Sequence, residues 1–83
     1  MSIDLVTKIL DSKNISNREK QVLLSIYRLQ FDENVRKVNS SSLAKYTGDK
    51  LDRMCKFIRG LQDKNLIYRE TPRATININW NKI

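Results

Sequence analysis

The side chains best suited to chemistry in this chain are cations spaced along one predicted helix. Arg53, Lys56 and Arg59 follow one another at intervals of three residues, so they lie on one side of that helix. The commonest base-specific contact of such a cation is a pair of hydrogen bonds to the O6 and N7 atoms of guanine. We therefore predict that Arg53 and Lys56, central on this side, read base edges, and that Arg59, further along, contacts phosphate.

Asp52 lies beside these cations and has two interpretations. Its carboxylate can accept a hydrogen bond from the amino group of cytosine, which would make it a third base-reading residue. Alternatively, its negative charge only interacts favourably with the positive end of the helix dipole. Both interpretations place it in the first turn of the helix.

A shorter helix upstream carries the predicted contacts to the nucleic-acid backbone. Its serines are first of all helix-cap residues, but hydroxyls and free N–H groups at a helix start also suit phosphate. The predicted backbone contacts in or next to this helix are Ser40, Ser41, Ser42, Lys45, Tyr46 and Lys50. Each lysine can equally be a solvated surface residue, and Tyr46 can serve only in packing.

Excess positive charge is confined to the second part of the chain. The chain has 16 Lys and Arg against 9 Asp and Glu, a net charge of +7. Residues 1–35 carry five of each sign, whereas residues 36–83 carry eleven basic and four acidic residues, which accounts for the whole excess. Such a field favours a polyanionic partner, and the order of elements in this part favours duplex nucleic acid over a membrane.

Catalysis, metals and membranes have little support in the sequence. The chain has no histidine, no glycine-rich phosphate loop and no nucleophile paired with a base, so we predict no enzymatic activity and no cofactor. Cys55 is the only cysteine, which leaves it without a disulfide or zinc partner, and we expect it to be a buried, inert thiol. No apolar run is long enough to span a bilayer, and the start lacks the features of a signal peptide, so a cytoplasmic protein is expected.

Local signals predict the elements that position these residues. The predicted helices cover 3–11, 16–30, a short stretch after the cap residues 39–42, and 50–64, and the predicted strands cover 66–70 and 75–80. Ser16 and Glu19 have the spacing of a capping box. Gly48 suits a left-handed helix end, and Asp49 is expected to cap the long helix. Val35 and Val38 are compatible with a short extended segment between helices.

The long helix and the hairpin each have a predicted core side. The core side of the helix consists of Leu51, Met54, Phe57, Ile58 and Leu61. The core side of the hairpin consists of Tyr68, Ile76, Ile78 and Trp80, with Asn77 and Asn79 in solvent. Pro72 fits the first central position of the hairpin turn, so Arg69 and Arg73 would project from it. The whole chain, 1–83, is predicted to form one domain, with an N-terminal helix (3–11), a helical core (16–65) and a hairpin (66–80).

Three motifs carry a resemblance to a known family. They are Lys20-Gln-Val-Leu-Leu-Ser-Ile-Tyr-Arg28, Val38-Asn-Ser-Ser-Ser-Leu-Ala-Lys-Tyr-Thr-Gly48 and Leu61-Gln-Asp-Lys-Asn-Leu-Ile67. In the order helix, short helix, tight turn, long helix and hairpin, the stretch 16–80 resembles the winged-helix DNA-binding domain of the lambda-type phage replication protein O family. The acidic pair Asp49 and Asp52 departs from the family pattern and leaves the target sequence open.

The resemblance implies a mainly α-helical winged helix-turn-helix with a small β-hairpin, an α+β fold. It also implies that residues 50–64 enter the major groove of duplex origin DNA, with residues 66–80 as a wing on the flanking DNA. The expected function is origin binding in the replication initiator of a phage or another mobile element. The alternatives are a winged-helix transcriptional regulator and, in a different class, a winged helix used only for protein–protein contact.

The expected partners follow from this interpretation. The main expected partner is duplex DNA in a bacterial host cell. The chain is expected to be a module of something larger, and replication proteins would bind through regions outside it. A homodimer on paired half-sites is a further alternative, for which helix 3–11 could supply an interface. No membrane partner is expected.

Overall fold

The computed structural model of the protein describes residues 3–71 and 73–83, with residues 3 and 4 described by their backbone only. The helices are α1 (Ile3–Leu10), α2 (Asn17–Tyr27), α3 (Ser40–Thr47) and α4 (Leu51–Asp63). The strands are β1 (Ile67–Tyr68) and β2 (Asn77–Ile78), which pair antiparallel. This mainly helical architecture with a small antiparallel sheet is the α+β class that the sequence predicts.

The start of α2 follows its local sequence. The hydroxyl of Ser16 accepts a hydrogen bond from the Glu19 backbone N–H at 3.2 Å, and the Ser16 N–H donates to Glu19 Oε1 at 3.1 Å. The predicted capping box is therefore confirmed. The expected end of this helix, about Gln30, lies within a π-helical turn over Arg28–Asp32 that continues α2. The side chain of Gln30 donates to the Ile76 carbonyl at 2.8 Å, so this turn is held against the hairpin.

A tight turn joins α3 to α4. Gly48 ends α3 with a φ of 77°, the left-handed conformation expected for it. The prediction that Asp49 caps α4 is wrong, because Lys50 occupies the N-cap position and makes no side-chain capping bond. Asp49 lies one residue too early to reach the free N–H groups of the first turn. Asp52 is the acidic residue of that turn, where the helix dipole favours its charge.

The end of α4 turns the chain back into the hairpin. Asn65 has a φ of 60°, its N–H donates to the Gln62 carbonyl at 2.9 Å, and the Leu66 N–H donates to the Leu61 carbonyl at 3.0 Å. This is the Schellman pattern, with Asn65 one position beyond the cap residue Lys64. The pattern directs Leu66 and Ile67 into the core.

One hydrophobic core joins all four helices to the sheet. Its buried members are Ile9, Ile15, Val22, Leu23, Ile26, Tyr27, Leu29, Val38, Leu43, Ala44, Met54, Ile58, Leu61, Leu66, Ile67, Ile76 and Ile78. From α4, Met54, Ile58 and Leu61 are buried as predicted, and Phe57 is half-buried. The prediction for Leu51 is wrong, since this side chain is 48% exposed. It lies in the first turn, on a flank of α4 that faces away from the core.

The hairpin differs from the predicted one in its outer side. Both strands are shorter than expected, and Ile67 lies opposite Ile78 with both side chains buried. Because side chains alternate along a strand, Tyr68 points outward and is 52% exposed, so its predicted place on the core side is wrong. Trp80 lies in a 3₁₀ turn (Trp80–Lys82) rather than in a strand. It packs edge-on against Tyr27, with ring centroids 6.0 Å apart.

Polar contacts tie the hairpin to the helical part. Asn77 accepts a hydrogen bond from Gln30 at 3.2 Å, and Asn79 donates to the Asn65 carbonyl at 2.9 Å. The expectation that both asparagines are merely solvated is therefore wrong. The predicted extended segment around Val38 lies alongside the hairpin, because Ile76 N–H donates to the Val38 carbonyl at 2.9 Å. Ala74 N–H donates to the Thr71 carbonyl at 3.0 Å and closes the hairpin turn, while Pro72 lies outside the described residues.

Candidate nucleic-acid interface

Helix α4 has three exposed or partly exposed sides, and each has different neighbours. Residues spaced by three or four along a helix share a side. One stripe contains Leu51, Cys55 and Gln62, and a second contains Asp52, Lys56, Arg59 and Asp63. A third contains Arg53, Phe57 and Lys64.

The stripe of Leu51, Cys55 and Gln62 faces the start of α3 and the hairpin. A groove, here called the cationic groove, lies between this side of α4, the start of α3 and the hairpin. Its described lining residues are Lys37, Asn39, Ser40, Ser41, Leu51, Cys55, Arg69 and Arg73. Three of these side chains are cations and none is acidic, so the groove has the charge that an anionic ligand requires.

Local structure fixes the walls of the cationic groove. Asn39 caps α3 by accepting a hydrogen bond from the Ser42 N–H at 2.9 Å, and Ser42 Oγ accepts from the Asn39 N–H at the same distance. Next to it, the Val38 N–H donates to Thr75 Oγ1 at 2.9 Å, which holds the Lys37 backbone beside the hairpin. At the other wall, Arg69 donates to Gln62 Oε1 at 3.5 Å and so connects the hairpin to α4.

The most exposed side of α4 is balanced in charge. Asp52 and Asp63 flank Lys56 and Arg59 along one stripe, and all four side chains are exposed. A phosphate facing this stripe would meet as many carboxylates as cations. By contrast, the described lining of the cationic groove has three cations and no carboxylate.

On the side of α4 that packs towards α2, Lys64 and Phe57 contact charged residues of α2. Lys64 Nζ lies 2.9 Å from Glu19 Oε1, and the Arg18 guanidinium lies 5.6 Å from the centre of the Phe57 ring. Burial by itself would raise the pKa of the Glu19 carboxyl, but hydrogen bonds from Lys64 and Ser16, with the charge of Lys64, hold that pKa below its ordinary value. Glu19 thus completes a helix cap and an interhelical ion pair at once.

The structure brings together only some of the residues predicted to touch nucleic acid. Ser40, Ser41, Arg69 and Arg73 share the cationic groove. Outside it, the exposed predicted residues are Lys45, Tyr46, Lys50, Asp52, Arg53, Lys56 and Arg59. Ser42 is half-buried and its hydroxyl is engaged in the α3 cap, where it also donates to the Asn39 carbonyl at 3.0 Å.

Sequence reasoning missed four residues of the groove, and one of them, Asn39, was predicted only as a helix-cap residue. Lys37 belongs to the basic part of the chain, and its position two residues before the Asn39 cap was the available signal. Leu51 was assigned to the core. Cys55 was expected to be buried, yet the thiol is exposed because it shares the outward flank of Leu51 and not the core side of Met54 and Ile58.

Other kinds of site find no support among the described residues. No group of three or more Cys, His, Asp or Glu side chains in residues 5–71 and 73–83 is placed to hold a metal ion. In the same part of the chain, no helix has both the length and the apolar character needed to cross a membrane. Comparison with protein-family models, curated proteins and solved structures finds no match to this chain.

Proposed function

We propose that this chain is a winged helix-turn-helix domain that binds duplex DNA in a sequence-specific manner. In this proposal α4 enters the major groove, the turn at Gly48 joins it to α3, and residues 66–80 form the wing on flanking DNA. The extended segment at Val38 would be the third strand of the wing sheet, which the bond from Ile76 N–H to its carbonyl supports.

The observation that carries the proposal is the cationic groove. It gathers Lys37, Arg69 and Arg73 from two distant parts of the sequence beside the first turns of α4, and its described lining contains no carboxylate. Phosphate contacts supply most of the non-specific affinity for DNA and fix the register of the protein, while base contacts specify the sequence. A helix with Arg53 and Lys56 exposed next to such a groove has both kinds of contact within reach.

The proposed biological role is origin binding by the replication initiator of a phage or another mobile element, in the cytoplasm of a bacterial host. The three motifs that resemble the replication protein O family support this role. A winged-helix transcriptional regulator has the same geometry and is the second candidate. Use of the domain only for protein–protein contact is disfavoured by the exposed cations of α4, and the sequence contains no histidine and no glycine-rich phosphate loop that would support catalysis.

A homodimer on paired half-sites is compatible with this role. In α1, Ile9 is fully buried in the core of its own domain, whereas Leu10 is 50% exposed. Leu5 and Val6 are partly buried against the same core, so among the described apolar side chains of α1 only Leu10 faces solvent. Replication proteins would be recruited through regions outside this chain.

Selection from a pool of random duplexes tests the proposal. We expect enrichment of one sequence motif, and stronger binding to a duplex carrying it than to either of its single strands. Equal binding to all duplexes and to single strands would contradict the proposal. Selection from fragments of the source genome then separates the two roles, because repeated sites indicate an origin and a single site beside a promoter indicates a regulator.

A further inference from the structure

The cationic groove contains an apolar surface that charge alone does not explain. Leu51 is 48% exposed, and one turn later the exposed thiol of Cys55 continues the same stripe. The other large hydrophobic side chains that are exposed in the described residues lie outside this groove. They are Leu10, Phe31, Tyr46 and Tyr68.

The exposure of Leu51 is not explained by the lack of a core, because Met54, Ile58 and Leu61 of the same helix are all buried in the core. Its flank of α4 lines the groove, and further along the same stripe Gln62 accepts a hydrogen bond from Arg69 of the hairpin at 3.5 Å. A ligand that fills the groove must therefore present an anionic frame to Lys37 and Arg73 and an apolar group to Leu51.

Duplex DNA presents this combination in its major groove. The phosphates lie along both edges, and the C5-methyl group of thymine is the apolar group that the bases display there. In helix-turn-helix proteins the base contacts come from the N-terminal residues of the recognition helix, and Leu51 is the first residue of α4.

We propose that Leu51, extended by Cys55, contacts a thymine methyl group, so that the bound site contains a required T·A pair at the position facing the start of α4. This inference rests on the proposed DNA binding and adds a specificity residue that carries no charge. Arg53 and Lys56 would then read neighbouring base pairs by hydrogen bonds.

Replacing thymine with deoxyuridine tests this contact, because it removes the methyl group and leaves every hydrogen-bonding atom in place. The duplex is the one enriched by selection, and each thymine is replaced in turn. Burial of one methyl group is worth about 0.8 kcal/mol, so we expect about a fourfold loss of affinity at one or two positions for the natural protein.

Leu51→Ala completes a double-mutant cycle with the same duplexes. We expect this variant to bind the thymine site about four- to tenfold more weakly and to be indifferent to deoxyuridine at the sensitive position. Leu10→Ala is the matched control, since Leu10 is an equally exposed leucine outside the groove. It should keep the full deoxyuridine effect. If Leu51→Ala binds too weakly to measure, Leu51→Val takes its place in the cycle.

The outcomes separate this inference from the proposed function. A natural protein that binds its selected duplex specifically but tolerates deoxyuridine at every thymine overturns the methyl contact and leaves DNA binding intact. The methyl contact is likewise overturned if Leu51→Ala remains as sensitive to deoxyuridine as the natural protein, or if selection enriches no thymine. Failure to bind any duplex would overturn both.

Discussion

The two flanks of α4 use charged residues in opposite ways. On the flank towards α2, Lys64 is paired with Glu19 at 2.9 Å and the Arg18 guanidinium lies over Phe57. On the flank towards the hairpin, Lys37 and Arg73 line the cationic groove without a carboxylate among its described lining residues. The same helix therefore separates cations that hold the fold together from cations that are placed for a ligand.

This difference matters because the total charge of the chain does not distinguish the two groups. Lys64 and Lys37 count equally towards the net +7. An exposed ion pair contributes only about 0–1 kcal/mol to stability, but its carboxylate also cancels the field that would attract a polyanion. We thus expect substitutions of the groove cations to change DNA affinity and substitutions in the Glu19–Lys64 pair to change stability.

The largest expected effect concerns the base-reading residues. Lys56→Ala and Arg53→Ala should each lose about 1–3 kcal/mol of binding free energy on the selected duplex and much less on random duplex. Lys56 should show the larger loss, because it lies nearer to the groove than Arg53, which shares the flank of Phe57 and Lys64. Binding titrations on both duplexes measure this, with Lys13→Ala, an exposed lysine in the neutral part, as control.

Equal losses of affinity on both duplexes would mean that these residues contact phosphate and do not read bases. A larger loss at Arg53 than at Lys56 would shift the interface towards α2 and weaken the distinction between the flanks. Neither variant should lower the free energy of unfolding, because both side chains are exposed.

A smaller effect, on stability and not on affinity, is expected at Glu19. Glu19→Gln keeps an acceptor for the Ser16 N–H but loses the ion pair with Lys64, so the free energy of unfolding at pH 7 should fall by about 0.5–1 kcal/mol. Denaturant unfolding measures the loss, with Asp63→Asn, an exposed carboxylate of α4, as control. A large loss of DNA affinity in Glu19→Gln, with stability unchanged, would contradict the assignment of this flank to folding.

The lowered pKa of Glu19 adds a pH dependence to the same comparison. A carboxyl group whose pKa is lower in the folded state than in the unfolded state, as for Glu19, stabilises the fold at pH values above the unfolded pKa. That contribution is lost as the pH falls through the folded pKa. The natural protein should therefore lose more stability than Glu19→Gln as the pH falls below the ordinary pKa of a glutamate carboxyl. Parallel curves for the two proteins would contradict this role.

The smallest effect distinguishes two uses of the hairpin. If Arg73 enters a minor groove, Arg73→Ala should weaken binding a few-fold more on A·T-rich flanks than on G·C-rich flanks, because a narrow minor groove concentrates negative potential. Arg73→Lys should bind the A·T-rich duplex more tightly than Arg73→Ala but more weakly than the natural protein. An identical ratio on both flanks would leave Arg73 as a phosphate contact in the cationic groove.

Local sequence signals predicted the elements better than the groove between them. The capping box of Ser16 and Glu19 and the left-handed Gly48 depend on neighbouring residues only, so the sequence was sufficient for both. The exposure of Leu51 and Cys55 depends on where the hairpin meets α4, which residues distant in sequence decide. Helical spacing alone could not show that the first apolar residue of α4 faces the groove.

The hairpin shows the same limit. The alternation of Ile76 and Ile78 predicted their burial correctly, since both side chains enter the core. The outward position of Tyr68 depends on the pairing of Ile67 with Ile78, and strand register is set by contacts that one strand alone does not encode.

The salt dependence of duplex binding tests the central claim most directly. With about five phosphate contacts, log affinity plotted against log salt concentration should have a slope of about −4 to −5 for the natural protein. Lys37→Ala should make the slope less steep by about 1, whereas Lys13→Ala, which removes the same charge outside the groove, should leave it unchanged. A slope near zero for the natural protein, or equal changes in the two variants, would contradict DNA binding through the cationic groove.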